Sequence, residues 1–433
     1  MKASYEKAVF ETMPVPRAVM TLAVPTIISQ IVTMIYNLGD TFFVGQIGNP
    51  SMVAAVTVVS PWFNLLTALG NLFGIGASSL ISRQMGAGER EKSKYVSAFS
   101  FWGGAAVTLV FSALSAAFSR PLLTFLGASA DNFAYAADYL FWVVGLGGVL
   151  NLILDPVFIF GFGLEVAGAA IATALSNLIG MVYFLVVLWR LHGEQLTALS
   201  LHPRYFGFRY LWPVFSVGLA SALATTLGNI SNMVIVRLAS GYGDIPVAAY
   251  GIVKRLDQFP LNVCMGLCQG FMPLVGYNFA AKNYNRMRKI STFSWKVGMA
   301  IAACFMACFA AFAPFILNLF IREAETAALG ANFLRIACLA VPLTAVNFLI
   351  SYTLQAMGLG VQSAILAFSR QGLLNVPLLI LMNWLTGLYG MIWVQLMVEV
   401  ITLPVSLGMY FVTLRRIRKE EAAAPQQTQG VSE

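Results

Sequence analysis

The chain has 433 residues, 59% hydrophobic and only 10% charged, with a mean hydropathy of +0.78. Soluble globular proteins carry about 25% charged residues, so soluble-enzyme readings fit poorly and a polytopic membrane protein is indicated. The net charge of +8 is spread in short clusters between apolar runs, which points to a lipid bilayer rather than nucleic acid as partner.

Candidate spans follow one another at 17–43, 52–82, 95–118, 131–160, 167–189, 210–238, 247–278, 292–320, 328–357, 364–384 and 388–414. The opening residues lack a charged region followed by a small-residue cleavage site, so no removable signal peptide is expected. Basic residues set the orientation. Arg83, Arg90, Lys92 and Lys94 mark one cytoplasmic loop; Arg190, Arg204 and Arg209 a second; Lys282, Arg286, Arg288 and Lys289 a third. Lys2, Lys7 and Arg17 put the N-terminus on that side, and Arg415, Arg416, Arg418 and Lys419 the C-terminus. The connections Gly48–Pro50, Gly161–Glu165 and Gly241–Asp244 carry no Lys or Arg, as outer loops should. Residues 420–433 are polar and read as a disordered tail.

The chain repeats itself. "AAVTVVSPWFNLLTALGNLFGIGASSLISRQMGAGEREKSK" from Ala54 parallels "AAYGIVKRLDQFPLNVCMGLCQGFMPLVGYNFAAKNYNRMRK" from Ala248, and "LDPVFIF" parallels "NVPLLIL". Two homologous bundles in the same orientation imply a transporter-like body with a pseudo-two-fold axis along the membrane normal and sites near mid-bilayer. The expected organisation is an N-terminal bundle over 1–195, a cytoplasmic linker over 196–209, a C-terminal bundle over 210–419 and the tail. Gly76 to Pro156 spans 80 residues where the equivalent Gly270 to Pro377 spans 107, so the first bundle is 27 residues short between about Tyr139 and Asn151. Two crossings need about 40 residues. The 131–160 segment is therefore either a re-entrant pair of half-helices turning near Gly145–Gly148, which keeps the charge rule and is preferred, or a single crossing.

An ionisable side chain inside a span costs a few kcal/mol or more and marks function by default. Gln30, Thr33, Asn37 and Asp40 recur at helical spacing on the first span, with Tyr36 beside them. Asn151 and Asp155 share a second face, next to Pro156, whose missing N–H frees the Leu152 carbonyl. Thr173, Ser176 and Asn177 form a third. Carboxylate, amide and hydroxyl oxygens are hard ligands suited to an alkali cation, while two close carboxylates would instead share a proton. Structural hydrogen bonds between helices are the alternative, most of all for Thr173, Ser176 and Asn177. The second half offers Thr225, Asn229 and Asn232; Asn347, Ser351 and Gln355; and Gln395 with Glu399. Arg255 and Asp257 are expected to pair or to snorkel, whereas no cation adjacent in sequence neutralises Glu399. Pro25 is the expected hinge of the first span.

The five cysteines read as packed thiols in apolar spans, and the two histidines, His192 and His202, fall in a polar loop, away from any metal or catalytic constellation. The 18 Met and the aromatic residues are expected mostly against lipid or in packing, with some lining an adaptable pocket. No phosphate-binding G-x-x-x-x-G-K-[ST] motif, HExxH or Ser/His/Asp set occurs. Neither an enzyme nor ATP-driven transport by this chain alone is expected, and ion-coupled secondary transport without a cofactor is what remains.

The stretches "AVPTIISQIVTMIYNLGDTFFVGQIG", "GIGASSLISRQMGAGE", "NLILDPVFIFGFGLEVAGAAIATALSN" and "GLCQGFMPLVGYNFAAKNYNRMRK" resemble the multidrug and toxic compound extrusion (MATE) transporters, especially bacterial multidrug-efflux members, over about residues 10 to 420. The resemblance implies an all-α fold of two bundles of nominally six helices. It also implies an N-lobe site for Na+ or H+ built from Asp40, Asn151, Asp155 and Thr173. Members of that family couple cation entry to export of amphipathic, often cationic compounds, here as a monomer in a bacterial inner membrane. The short fourth and fifth helices depart from the family pattern. Two other readings stand beside it: a lipid-linked precursor flippase of the same superfamily, and a non-transporting, degenerate membrane protein.

Overall fold

The computed structural model describes residues 2–46, 50–126, 133–134, 136–137, 208–320 and 324–423, and these residues are helical almost throughout, with no strand among them. A ten-residue helix, α1 (Lys2–Glu11), precedes three long ones: α2 (Val15–Gln46), α3 (Pro50–Gly86) and α4 (Arg90–Ala117), followed by the short α5 (Ser119–Leu126). The second half contributes α6 (Leu211–Ser240), α7 (Asp244–Ala280), α8 (Tyr284–Phe320), α9 (Ala324–Ala337), α10 (Val341–Ala356), α11 (Gly360–Ala367) and α12 (Val376–Ala423). A 3-10 turn, Cys338–Ala340, joins α9 to α10 as one crossing, and a π-helical stretch, Phe368–Asn375, joins α11 to α12.

Local chemistry sets the boundaries. Gly88 takes φ 79° at the turn before α4, and Glu89–Lys92 and Glu91–Lys94 ion pairs at 2.6 and 2.7 Å brace that helix start, each one turn apart. Within α12, Gly387 adopts φ 68° and ψ −147°, outside the helical region and readily reached only by glycine. The chain reverses there: Asn375 Nδ2 donates to Gln395 Oε1 at 3.5 Å across the turn. The apolar stretch Gly360–Lys419 is thus two crossings. Counting them so, the described residues supply three spans from the first half and six from the second.

Among the described residues the main buried core belongs to the second bundle. Leu267, Phe271, Met272 and Leu274 of α7, Met287 and Ile290 of α8, and Leu349, Ile350 and Leu354 of α10 pack together, joined by Val9 of α1 and Val19 and Ala23 of α2. The outer surface is apolar, with Trp212, Trp384, Phe315 and Val412 more than 60% exposed, as a lipid-facing wall requires. Cys264, Cys268 and Cys338 are buried, but Cys304 and Cys308 are exposed on the outer face of α8. The expectation of packed thiols is corrected for that pair. A CxxxC spacing places two thiols on one helix face without saying which face it is.

Two extensive inter-bundle interfaces, α3 against α6 and α2 against α7, stand as the pseudo-two-fold repeat requires. In both, helix backbones touch. A Cβ on Gly218 of α6 would overlap the Leu72 carbonyl of α3, and one on Gly270 of α7 would overlap Ala23 of α2. Gly270 is the second glycine of the G-x-x-x-G in "GLCQG", the small-residue pattern that lets membrane helices approach closely.

The closing helix continues to Ala423, past the expected end of the bundle at 419, and Arg288 pairs with Glu421 at 2.6 Å. The 27-residue shortfall lies outside the described residues, as do all but four residues of the expected 131–160 re-entrant segment and nearly all of the expected 196–209 linker.

Candidate functional site

A cavity of about 880 Å3 lies between the bundles, lined by α2, α3, α6, α7, α10, the π stretch and α12. Its floor is set by the glycine contacts. Asn71 is the deepest cavity residue on α3, and the next residue, Leu72, already touches Gly218. On α7 the same role falls to Gln269, next to Gly270. The cavity is therefore closed toward the end of the molecule that carries Arg83, Arg90, Lys282, Arg286 and Arg288. Cross-bundle hydrogen bonds join the bundles at and above the floor: Thr26 Oγ1 donates to the Gly266 carbonyl at 2.7 Å, Gln30 Nε2 to Gln269 Oε1 at 3.1 Å, and, higher in the wall, Asn64 Nδ2 to Asn229 Oδ1 at 3.3 Å.

The polar stripes of the second half converge on this space. Thr225, Asn229 and Asn232 of α6, Asn347, Ser351 and Gln355 of α10, and Gln395 of α12 all line it, as do Gln30, Thr33 and Asp257. Met34, Phe63, Met265 and Phe348 supply apolar wall between them. Glu399 is fully buried just behind the wall. Its Oε2 accepts from Asn347 Nδ2 at 2.6 Å, its Oε1 from Gln395 Nε2 at 2.9 Å, and Arg370 Nη1 stands 3.6 Å from Oε1. Asn347 Nδ2 also lies 3.2 Å from the Thr402 hydroxyl oxygen. A buried carboxylate is tolerable only with such compensation.

No sequence neighbour neutralises Glu399; its cation, Arg370, comes from a different helix 29 positions earlier and is invisible to adjacency along the chain. One expectation is corrected. Asp257 pairs with Lys254 at 3.7 Å rather than with Arg255, because residues three apart share a helix face and residues two apart do not. Arg255 has no ion-pair partner among the described residues. The sequence signal that could have found Arg370 is Pro377: lacking an N–H, it leaves the Leu373 carbonyl without its helical donor, inside the stretch that forms the π turn.

Of the remaining site residues, Tyr36, Asn37 and Asp40 lie on α2, with Asp40 about 15 Å along the helix from Gln30; their side chains are outside the described ones. Asn151, Asp155, Thr173 and Asn177 lie outside the described residues altogether. Helix α2 runs on through Pro25. Among the described residues no group of three His, Cys, Asp or Glu is arranged to hold a metal ion.

Comparison with known proteins agrees with this architecture. A family model described as MatE matches residues 25–160 and 220–381. The chain is 32% identical over 420 residues to the multidrug export protein MepA of Staphylococcus aureus strain MSSA476, covering 90% of this chain and 92% of that one. It is similar in fold to a crystal structure of a MATE in the straight conformation, with TM-score 0.86 and 22% identity over 95% of this chain and 98% of that one. It is also similar to the Vibrio cholerae MATE transporter VcmN in the bent form, with TM-score 0.81 and 22% identity over 92% of this chain and 97% of that one. Two bundles meeting over a closed floor, a matching family model over both halves and a relative at this identity make this chain a member of the MatE family.

Proposed function

We propose that this chain is a secondary active exporter of amphipathic, drug-like organic compounds, driven by entry of Na+ or H+ across a bacterial inner membrane. The observation that carries the reading is the cavity between the two bundles, about 880 Å3 and mixed polar and apolar, closed at one end by backbone-to-backbone contact. Ligand sites for drug-sized molecules fall in a range of about 300–1,000 Å3, and a cavity closed at one end is one half of an alternating-access cycle. The relative named a multidrug export protein supports the same class of substrate.

The basic end is assigned to the cytoplasm, with both termini, because short-loop Lys and Arg set orientation. Asp40 and Asp155 bind the coupling cation, Asn151 and Thr173 complete its shell, and Pro25 lets α2 bend between states. Export of a fluorescent cationic dye from proteoliposomes under an imposed Na+ or pH gradient tests the reading. Export under one gradient and not the other names the coupling ion; export under neither overturns the proposal.

One observation favours a flippase for lipid-linked pyrophosphates: Lys254, Arg255 and Arg370 all line the cavity. Asp257 and Glu399 offset two of these three charges, which leaves too little for a multiply charged headgroup. The exporter reading is preferred.

A further inference from the structure

Resting on the exporter reading, we propose that Arg370 recognises the carboxylate of an amphipathic substrate, so that the second bundle's wall selects carboxylate-bearing compounds over their neutral-ended counterparts.

Arg370 is 8% exposed and lines the cavity. Its guanidinium carbon stands over the Phe348 ring, 4.5 Å from the centroid, a cation–π contact that uses none of its N–H donors. The Glu399 oxygen at 3.6 Å offsets its charge but is beyond hydrogen-bond distance. No hydrogen bond ties any of its five donors to a described residue, and none of its nitrogens is sealed away from the cavity without a partner. An arginine placed over an aromatic ring, with its donors uncommitted beside a cavity, suits a planar acceptor pair such as a carboxylate.

The backbone is shaped for this placement. The π-helical stretch Phe368–Asn375 brings Arg370, Gln371 and Asn375 to the cavity wall together, and Ser231 Oγ donates at 2.9 Å to the Gln371 carbonyl. Such wide turns are unfavourable and concentrate at functional sites. The local charge agrees. Lys254 and Arg370 each face one carboxylate, while Arg255 has no ion-pair partner among the described residues, leaving one net positive charge on this wall. One net positive charge on a cavity wall suits a monoanionic group.

The test uses the purified full-length protein and a matched pair of probes, a fluoroquinolone carboxylic acid and its methyl ester, with dissociation constants measured by titration calorimetry. The acid is expected to bind the wild-type protein about ten-fold or more tighter than the ester. Arg370→Lys keeps the charge beside Glu399 but loses the planar fork, and should lower that preference to roughly two- to three-fold. The Arg370→Gln/Glu399→Gln double variant leaves neither charge unpaired and should bring it to about one. Millimolar inorganic pyrophosphate should not displace the acid. A wild-type ratio near one overturns the inference without any variant. So does an unchanged ratio in the double variant, or displacement by pyrophosphate. Gradient-driven transport with no acid preference would sink this inference alone, whereas acid preference without transport would sink the exporter reading alone.

Discussion

Helix α1 has ten residues, too few to be stable alone in water, and its last carbonyls have no partner inside the helix. Arg286 of α8 supplies them: Nε donates to the Phe10 carbonyl at 2.9 Å, and Nη2 lies 3.1 Å from the Val9 carbonyl and 2.7 Å from that of Met13. Asn278 Nδ2 adds a bond to Phe10 at 3.1 Å, and Tyr277 donates to Glu11 at 2.6 Å. The N-terminal helix, which leads into the first bundle, is thus latched to the second at the basic end. Hydrogen bonds from a charged donor contribute about 1.5–3 kcal/mol each. Arg286 is only half-buried, and water can replace part of the loss, so Arg286→Ala should cost about 3 kcal/mol of docking free energy. At about 1.4 kcal/mol per factor of ten, opening of α1 becomes about a hundred-fold more frequent. Hydrogen exchange measured by mass spectrometry on peptides covering residues 2–13 reads this directly. Arg286→Lys should fall between variant and wild type, since it keeps the charge at the helix C-terminus without the fork. Exchange within about three-fold of wild type in Arg286→Ala would refute the latch.

The glycine contacts give a paired expectation: Gly270→Ala should lower the melting temperature, because its Cβ meets Ala23, while Gly408→Ala should leave it level or raise it, since nothing lies within 4 Å. Equal effects in a thermal unfolding scan would count against the closed floor. Glu399→Leu strands Arg370 and two amides and should destabilise by about 3–5 kcal/mol, whereas Arg370→Leu/Glu399→Leu should recover most of it. A double-mutant cycle showing no coupling would remove the ion pair from the account. Cys264 and Cys268, buried in the helix packing, should be labelled by a maleimide only after denaturation of the solubilised protein, which mass spectrometry of labelled peptides can check.

The spans of the second half were legible because each is an apolar run closed by glycine or by basic residues, and the break between 384 and 388 falls on Gly387. The repeat was legible too: the α2–α7 and α3–α6 interfaces are what duplication demands. Polar spacing located the α6 and α10 stripes that line the cavity, since three- and four-residue intervals are properties of one helix. What adjacency could not supply was partnership between helices. Arg370, within the π-helical stretch, meets Glu399 of another helix, and the face of α8 bearing Cys304 and Cys308 points outward for reasons set by its neighbours. For Asp40 no side-chain contact is described, and Asn151, Asp155 and Thr173 lie outside the described residues, so their assembly into one site stays a proposal of chemistry and resemblance.

That proposal is tested most directly by dye export from proteoliposomes containing wild-type protein or Asp40→Asn, matched for incorporation, under the gradient that drives the wild type. Removing the carboxylate charge while keeping the side-chain shape should abolish gradient-driven export and leave the protein folded and inserted. Export at the wild-type rate by Asp40→Asn would contradict the account.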